Sequence, residues 1–242
     1  MSATLCYASN LIPEIADTVL AADDAMKLGY AWRYGPFELI DKIGADWLVE
    51  RLTAEDREVP ALLRLAAEKD GFYRTEQGRL QYLGIDGVYV TIERASGVLL
   101  LSDIKRASKP IQRNGSASLW DIGDGVACLE FHSKMNAIDP ETLAMIGKSI
   151  STVGKDYKAL VLHNEGSNYS VGVNLGLALF AINVGAWSMM EDMVKQGQDT
   201  FKALKFAPFP VVGAPSGMAL GGGCESLLHC DAVQAHAESY IV

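Results

Sequence analysis

The sequence predicts a small helical unit followed by an α/β domain with a parallel sheet. In residues 12–52 the apolar positions recur at helical spacing, and Tyr34-Gly35-Pro36 interrupts them. From residue 126 onward, short apolar runs typical of strands alternate with longer stretches of helical periodicity. This alternation favours βαβ units, in which consecutive strands lie parallel and helices cover the sheet.

The N-terminal half is predicted to contain helices and irregular connections. The first residues lack a basic region ahead of an apolar stretch, so they do not resemble a secretory signal and fit the middle of a helix. Residues 62–65 predict a further helix, and residues 88–92 predict a short strand. Between them, residues 71–87 mix polar, aromatic and glycine residues, which predicts irregular structure.

A polar, basic segment separates the two patterns. Residues 103–118 contain Pro110 and Gly115 among charged and small residues, a composition typical of linkers. We place the domain boundary near Asn114. The predicted parts are a helical domain, a mixed connecting segment with linker, and an α/β domain, at residues 1–52, 53–115 and 116–242.

The α/β domain is predicted to begin with five alternating elements. Asp139 fits the N-cap of the first helix, and Pro140 fits its first turn. The order is strand, helix, strand, helix, strand, over residues 126–131, 139–154, 159–163, 188–205 and 211–214.

The composition narrows the classes of function. With 49% hydrophobic and 21% charged residues among 242, the chain can bury a core for one large domain or two small ones. Its 21 Lys and Arg against 30 Asp and Glu give a net charge of -9 without a basic stripe, which argues against nucleic acid as a partner. The four scattered cysteines lack the density of a disulfide scaffold and favour a reducing, cytoplasmic location.

Residues 167–190 contain no charged side chain and imitate a membrane span. However, Gly172, Gly176 and Gly185 interrupt the stretch, and its most apolar part is shorter than the ~20 residues that a span needs. We therefore expect no membrane span and interpret the segment as a buried loop and helix that line an apolar pocket.

Two glycine-containing loops carry the strongest functional signal. Gly221–Gly223 lie where a helix begins, so their amide groups and the positive end of the helix dipole can hold an anion or a developing oxyanion. A second loop, residues 168–175, follows the strand that ends at His163. One backbone N–H from each loop, directed at a shared carbonyl oxygen, would form an oxyanion hole. Alternatively, the glycines permit close helix–sheet packing, and Glu225 only compensates the helix dipole.

These motifs resemble the crotonase superfamily of enoyl-CoA hydratases. Three strings occur in the family's order, namely MNAID after the first strand, NYSVGVNL, and GMALGGGCE. The second departs from the family's usual phenylalanine-serine-alanine-glycine-alanine-aspartate-leucine loop. The resemblance covers residues 126–242 and implies the superfamily's ββα spiral, here incomplete.

The resemblance also assigns roles to single residues. It implies that the backbone N–H groups of Val173 and Gly222 polarise the carbonyl of a coenzyme A thioester, and that Glu225 is one of two acid/base glutamates. Valine departs from the common alanine only in bulk, because the main chain makes the contact. Further substrate contacts are expected from Gly172, Asn174, Gly221, Gly223 and Lys134, of which Asn174 replaces an aspartate and so removes a charge.

The second acid/base glutamate is the main departure. Alignment through Cys230-Asp231 places it just past Val242. Glu238 is the nearest candidate within the chain, and we interpret it as a surface residue.

Residues 26–44, MKLGYAWRYGPFELIDKIG, resemble the C-terminal helical domain of 3-hydroxyacyl-CoA dehydrogenases. From the residues alone, the segment is a plain helix–turn–helix with Gly35-Pro36 as the break, and this interpretation is compatible with the resemblance. The resemblance implies a dehydrogenase site with NAD in a domain upstream. Because no G-x-G-x-x-G turn occurs in this sequence, we expect no cofactor in this chain.

Other chemistries are not expected. Cys224, His229, Cys230 and His236 match no familiar zinc spacing, so no metal is predicted. His163 ends a predicted strand, where it is either a hydrogen-bonded edge residue or part of the coenzyme A pocket.

Together, these features predict a fragment of a bifunctional fatty-acid β-oxidation enzyme, truncated at both ends. It would join a 3-hydroxyacyl-CoA dehydrogenase to a hydratase of trans-2-enoyl-CoA, with acyl-CoA as substrate and a homo-oligomeric parent protein. The chain alone is expected to be weakly active or inactive. The alternatives are a non-catalytic acyl-CoA-binding or assembly module, or another reaction of the superfamily, such as enoyl-CoA isomerisation or acyl-CoA hydrolysis.

Overall fold

The computed structural model describes residues 2–242 of the chain. Contacts divide the chain into two compact units, with the division between Ala107 and Ser108. The domain ranges expected from the sequence, 1–52, 53–115 and 116–242, remain a prediction.

Unit 1 combines a helical bundle with a small antiparallel sheet. The regular elements of residues 2–54 are helices, and the strands β1, β2 and β3 pair in that order. The elements are α1 (Ser2–Asn10), α2 (Val19–Tyr30), α3 (Pro36–Ile43), α4 (Ala45–Ala54), α5 (Ala61–Ala67), β1 (Tyr73–Glu76), β2 (Arg79–Leu83), β3 (Tyr89–Thr91) and α6 (Leu101–Ala107).

The core of unit 1 draws on both the helices and the sheet. Phe37 of α3 and Phe72 before β1 are fully buried, with ring centroids 4.8 Å apart in an edge-on arrangement. The break at Gly35-Pro36 is confirmed, because α3 begins at Pro36. The prediction of irregular structure for residues 71–87 was wrong, since β1 and β2 form an antiparallel pair there. Tyr73 and Tyr82 lie opposite each other on these strands, and the glycines of the segment lie outside them.

The side chain of Asp23 stabilises the first turn of α3 by hydrogen bonds within the core. Its fully buried carboxylate accepts hydrogen bonds from the Phe37 and Glu38 amides, at 2.8 and 3.0 Å, and from the Tyr73 hydroxyl at 2.8 Å. Gly35 is required beside it, because a side chain there would overlap Asp23. Burial raises the pKa of Asp23 to about 6, although the hydrogen bonds oppose this shift.

Unit 2 is an α/β domain with two sheets. The larger sheet has the order β11-β9-β7-β6-β5-β4, and the smaller has the order β12-β10-β8. The elements are β4 (Gln112–Arg113), β5 (Ala117–Asp121), β6 (Val126–Phe131), α7 (Pro140–Asp156), β7 (Ala159–Leu162), β8 (Asn168–Ser170), α8 (Leu175–Asn183), α9 (Trp187–Lys205), β9 (Val211–Gly213), β10 (Met218–Ala219), α10 (Gly222–Leu228), β11 (Ala232–Val233) and β12 (Tyr240–Ile241).

The alternation predicted for this domain is confirmed. β6, β7, β9 and β11 are parallel neighbours, and α7 packs against β5, β6 and β7. Asp139 caps α7 as expected, since its side chain accepts a hydrogen bond from the Thr142 amide at 2.8 Å. Residues 103–118, predicted as a linker, contain the end of α6, β4 and the start of β5.

The apolar segment at residues 167–190 differs from its prediction. The loop around Tyr169 is buried, but α8 is largely exposed, with Leu175 at 70% and Phe180 at 61% of their accessible surface. The expectation of a buried helix was therefore wrong, because among the side chains of α8 that the structure describes only Ala181 is buried. Within residues 2–242, no helix has the length and apolar character required to cross a bilayer.

We predict that Asp23→Asn changes how the stability of unit 1 depends on pH. Because the fold raises the pKa of Asp23, protonation of this group favours the folded state fully below about pH 4, and that contribution is lost as the pH rises through about 6. The variant lacks this titration. Its deficit in the free energy of unfolding should therefore shrink between pH 4 and pH 7.

The measurement is hydrogen–deuterium exchange of the α3 amides at each pH. Asp24→Asn, which changes the adjacent exposed carboxylate of the same helix, is the control. Wild-type and Asp23→Asn stabilities that run parallel across this range would contradict the assignment.

Candidate active site

Two loops of unit 2 leave neighbouring parallel strands at the same edge of the smaller sheet. β8 pairs with β10, with Met218 opposite Asn168 and Ala219 opposite Ser170. After β8 the chain continues through Gly172 and Val173, and after β10 it enters α10. Because parallel strands end at the same edge, the loops that follow β8 and β10 lie side by side.

The two loops approach so closely that their contacts exclude side chains. A Cβ on Gly172 would lie 2.7 Å from the Leu220 carbonyl oxygen and 3.0 Å from the Gly222 nitrogen. A Cβ on Gly223 would lie 2.6 Å from the Ser170 carbonyl oxygen. Gly172 also has a φ of +84°, which L side chains rarely adopt. Both positions therefore require glycine.

Two backbone N–H groups at this contact have no hydrogen-bond acceptor within the described residues. The Ile138 amide donates to the Gly172 carbonyl at 2.7 Å, and the Asn174 amide donates to the Ile138 carbonyl at 3.1 Å, so Ile138 engages both neighbours of Val173. Neither the Val173 N–H nor the Gly222 N–H has an acceptor among residues 2–242. A Cβ on Gly222 would lie 3.5 Å from the Val173 nitrogen, so the two donors are close neighbours.

A cavity of about 290 Å³ adjoins these loops. Val173, Asn174 and Glu225 belong to its wall, together with mostly apolar side chains. Glu225 lies in the first turn of α10, and its carboxylate forms no hydrogen bond or ion pair within the described part of the chain. The remaining wall residues come from α7, α8, α9 and the segment before α7: Ile138, Asp139, Pro140, Leu143, Ala178, Met190, Met193, Val194, Gln196, Gly197, Gln198 and Phe201.

The other predicted contact residues occupy different positions. Asn174 caps α8, because its side-chain oxygen accepts a hydrogen bond from the Gly176 amide at 3.1 Å. Gly221 donates its N–H to the Val242 carbonyl at 2.8 Å and has a φ of +49°. Lys134 and Glu238 are both exposed and lie outside the cavity wall. The roles of these residues remain predictions.

Hydrogen bonding or burial accounts for the positions of two histidines and one cysteine of this unit. His163 pairs its Nδ1 with the Ala214 carbonyl at 2.8 Å, and His132 pairs its Nε2 with the Ser118 hydroxyl at 2.9 Å. Burial raises the pKa of the Cys230 thiol to about 12, which disfavours the thiolate that binds metals. Among the described side chains, no group of three His, Cys, Asp or Glu could hold a metal ion.

Comparison with known proteins fits this geometry. The family model described as enoyl-CoA hydratase/isomerase matches residues 121–242, half of the chain, and this range includes both loops and Glu225. The chain belongs to the enoyl-CoA hydratase/isomerase family. The fold class predicted from the three motifs is confirmed, since unit 2 is the crotonase-like α/β part of this family.

Relatives extend along the whole chain. A relative in Bacillus subtilis (strain 168), named as a 3-hydroxyacyl-CoA dehydrogenase, is 37% identical over 99% of this chain and 30% of its own length. A Rickettsia felis relative, named as a fatty acid oxidation complex trifunctional enzyme, is 30% identical over 96% of this chain and 29% of its own length. The chain thus spans less than a third of either relative. The resemblance predicted for both units is confirmed, because these alignments include unit 1.

A solved enoyl-CoA hydratase/isomerase from Xanthobacter autotrophicus Py2 is 25% identical, with a TM-score of 0.48. It covers 53% of this chain and 49% of its own.

The sequence alone did not identify the residues of α9 that line the cavity. Met190, Met193 and Phe201 lie on α9 at the spacing of one helical face, and together they line the cavity. This apolar face was visible in the sequence as amphipathic periodicity. Periodicity alone does not distinguish a helix face that lines a cavity from one that lies against the core.

We predict that Gly172→Ala destabilises unit 2 by about 2 kcal/mol or more, since alanine must adopt a left-handed backbone and collides with the Leu220 carbonyl. Urea unfolding monitored by far-UV circular dichroism measures the loss.

Gly147→Ala is the matched control for Gly172→Ala. Gly147 lies on α7 with nothing within 4 Å of a new Cβ, so the same change there should stabilise by about 0.5–1 kcal/mol. Equal effects of the two substitutions would show that the loops do not meet as described.

Proposed function

We propose that the protein containing this chain hydrates trans-2-enoyl-CoA in fatty-acid β-oxidation, and that this chain supplies the oxyanion hole and one acid/base group. The observation that supports this proposal best is the pair of neighbouring N–H groups, Val173 and Gly222, that lack acceptors beside a cavity containing Glu225. Gly222 is buried, and a buried donor without an acceptor is costly, so the pair is suited to a ligand oxygen.

In this reaction water adds across the double bond next to the thioester. The Val173 and Gly222 N–H groups bind the thioester oxygen, where negative charge develops when the water oxygen bonds to C3. Glu225 accepts the proton that this water releases. A proton then adds to C2, and the charge on the oxygen returns to the carbonyl. The resemblance places the second acid/base glutamate, which would take part in that proton transfer, past Val242.

The main chain forms the hole, so the substitutions in the first loop are compatible with it. Val173 contributes its N–H, and the residue remains 46% exposed. Asn174 keeps an uncharged side chain on the cavity wall. The apolar wall from α8 and α9 suits the acyl chain of such a substrate.

The parent protein is also proposed to carry 3-hydroxyacyl-CoA dehydrogenase activity. The product of hydration is a 3-hydroxyacyl-CoA, which is the substrate that the name of the Bacillus subtilis relative gives. NAD would bind in a separate domain of the parent. A cytoplasmic location and a homo-oligomeric parent remain part of the proposal.

We predict that Glu225→Gln in the full-length parent lowers the turnover of crotonyl-CoA by about 10²–10⁴-fold, the usual contribution of a positioned acid or base. Affinity for the thioester should change little, because the amide keeps the shape of the cavity. Steady-state hydration assays with a separate titration of acyl-CoA binding measure the two effects.

Glu238→Gln is the matched control for Glu225→Gln. Glu238 is exposed and outside the cavity wall, so its substitution should leave turnover unchanged. If the turnover of Glu225→Gln stayed within threefold of wild type, Glu225 would have no acid/base role. It would then only compensate the α10 dipole. Binding of acyl-CoA without any hydration by the parent would favour the non-catalytic module.

We also predict that residues 1–242 alone hydrate crotonyl-CoA at least 10²-fold more slowly than a version extended through the second glutamate. The same chain should self-associate through α8, because Leu175, Leu179 and Phe180 expose an apolar surface. The rates are compared at equal folded concentration, and sedimentation velocity reports association. Equal rates would mean that Glu225 suffices within these residues, and Phe180→Ser tests whether α8 is the contact.

A further inference from the structure

Buried hydrogen bonds connect β8, which precedes the first loop, to α10, which begins at Gly222. Tyr169 on β8 has no accessible surface, and its hydroxyl lies 3.1 Å from the Ser226 hydroxyl on α10. The Ser226 hydroxyl donates to the Gly223 carbonyl at 2.8 Å. Since that bond uses the only proton of Ser226, Tyr169 is the donor to Ser226.

These hydrogen bonds span the contact that sets the distance between the donors. Tyr169 lies four residues before Val173, and Ser226 lies four residues after Gly222. Gly223, which receives the last hydrogen bond, also packs against the Ser170 backbone. A shift of α10 along β8 would therefore stretch the hydrogen bond between Tyr169 and Ser226 while it moves Gly222 relative to Val173.

Further bonds hold Tyr169 in place. Asn164, which is also buried, donates from its side-chain nitrogen to the Tyr169 carbonyl and accepts from the Phe131 amide at the end of β6, at 2.6 Å. Ser226 is fully buried as well. The first loop is thus anchored to the larger sheet, and α10 is anchored to the first loop.

We infer that Tyr169 and Ser226 are positioning residues that hold the Val173 and Gly222 donors at the spacing needed to bind one thioester oxygen. This inference rests on the proposed function. Neither side chain lines the cavity, so neither touches the substrate. The loop pattern that this sequence resembles has phenylalanine at the position of Tyr169, so the hydroxyl is a departure of this chain from that pattern.

Filling this space with two buried hydroxyls costs more free energy than filling it with apolar groups. Each hydroxyl loses its hydration on burial, and the pair only recovers that loss when both bonds form with good geometry. Such a pair therefore selects one relative position of the two loops more sharply than an apolar contact would. Displacements of about 1 Å in a catalytic contact can reduce rates by up to about 10²-fold.

The test uses the full-length parent protein with Tyr169→Phe, Ser226→Ala and the double variant. The probe is a chromophoric cinnamoyl-CoA thioester, whose absorption moves to longer wavelength when its carbonyl is polarised. Matched controls are Tyr157→Phe, whose hydroxyl pairs with Asp121, and Ser149→Ala, whose buried hydroxyl has no hydrogen-bond partner in the described residues.

We expect about tenfold lower kcat in Tyr169→Phe and Ser226→Ala, with KM within about twofold, because the hydrogen bond acts on the polarised state more than on binding. The absorption shift of the bound thioester should be at least halved in both. Tyr169→Phe removes the bond between the two hydroxyls, and Ser226→Ala removes that bond together with the one to the Gly223 carbonyl. The double variant should therefore lose no more than Ser226→Ala alone. The controls should keep kcat and the absorption shift of wild type.

The outcomes separate this inference from the proposed function. Normal hydration and a full absorption shift in Tyr169→Phe and Ser226→Ala would overturn the inference and leave the function intact. An equal loss in Ser149→Ala would also overturn it, since any buried hydroxyl would then matter. A wild-type parent that binds the probe without an absorption shift and hydrates no enoyl-CoA would instead contradict the proposed function itself.

Discussion

The architecture of the site depends on one close contact between two stretches of backbone. The loop after β8 and the start of α10 approach until Gly172 and Gly223 have no room for a Cβ. This contact requires the parallel pairing of β8 with β10, which in turn places the ends of both strands at one edge. Because the hydrogen bonds of Ile138 occupy the groups on either side of Val173, the open N–H of that residue follows from the same arrangement.

The proposed oxyanion hole is formed by main-chain groups, so it tolerates side-chain changes that a site made of side chains would not. Val173 in place of alanine alters only what lies beside the donor, and its side chain points partly to solvent. The glycines, in contrast, are constrained by geometry, since a Cβ at Gly223 would meet the Ser170 carbonyl at 2.6 Å. This difference explains how the NYSVGVNL loop departs from the family pattern at several positions and keeps its central glycine.

The sequence predicted most of unit 2, since its signals are local. The strand over residues 126–131 and the cap of α7 by Asp139 follow from apolar runs and helix-start chemistry, and both were confirmed. The smaller sheet was not predicted, because β8, β10 and β12 have only two or three residues each and pair across long separations. In unit 1, residues 71–87 contain glycines that end strands, and the sequence alone did not distinguish these from a loop.

Local sequence patterns identified some residues of the candidate site and not others. The glycine loops and Glu225 were found by motif, and the structure brings Val173, Asn174 and Glu225 to one cavity. The Tyr169–Ser226 bond could not be foreseen, because its partners are 57 positions apart and each resembles an ordinary core residue. A long-range hydrogen bond leaves no periodicity in the sequence.

Asn174 connects the donor loop to the wall of the cavity. Its amide bonds to the Ile138 carbonyl beside Val173, and its side chain caps α8, which contributes Ala178 to the cavity. Aspartate, the usual residue in this family, would cap a helix equally well. The physical difference is therefore the charge, because a further carboxylate on a cavity wall that already contains Asp139 and Glu225 would oppose the negative charge that the proposed reaction develops on a thioester oxygen. Asparagine thus preserves the link between the loop and α8 without adding that repulsion.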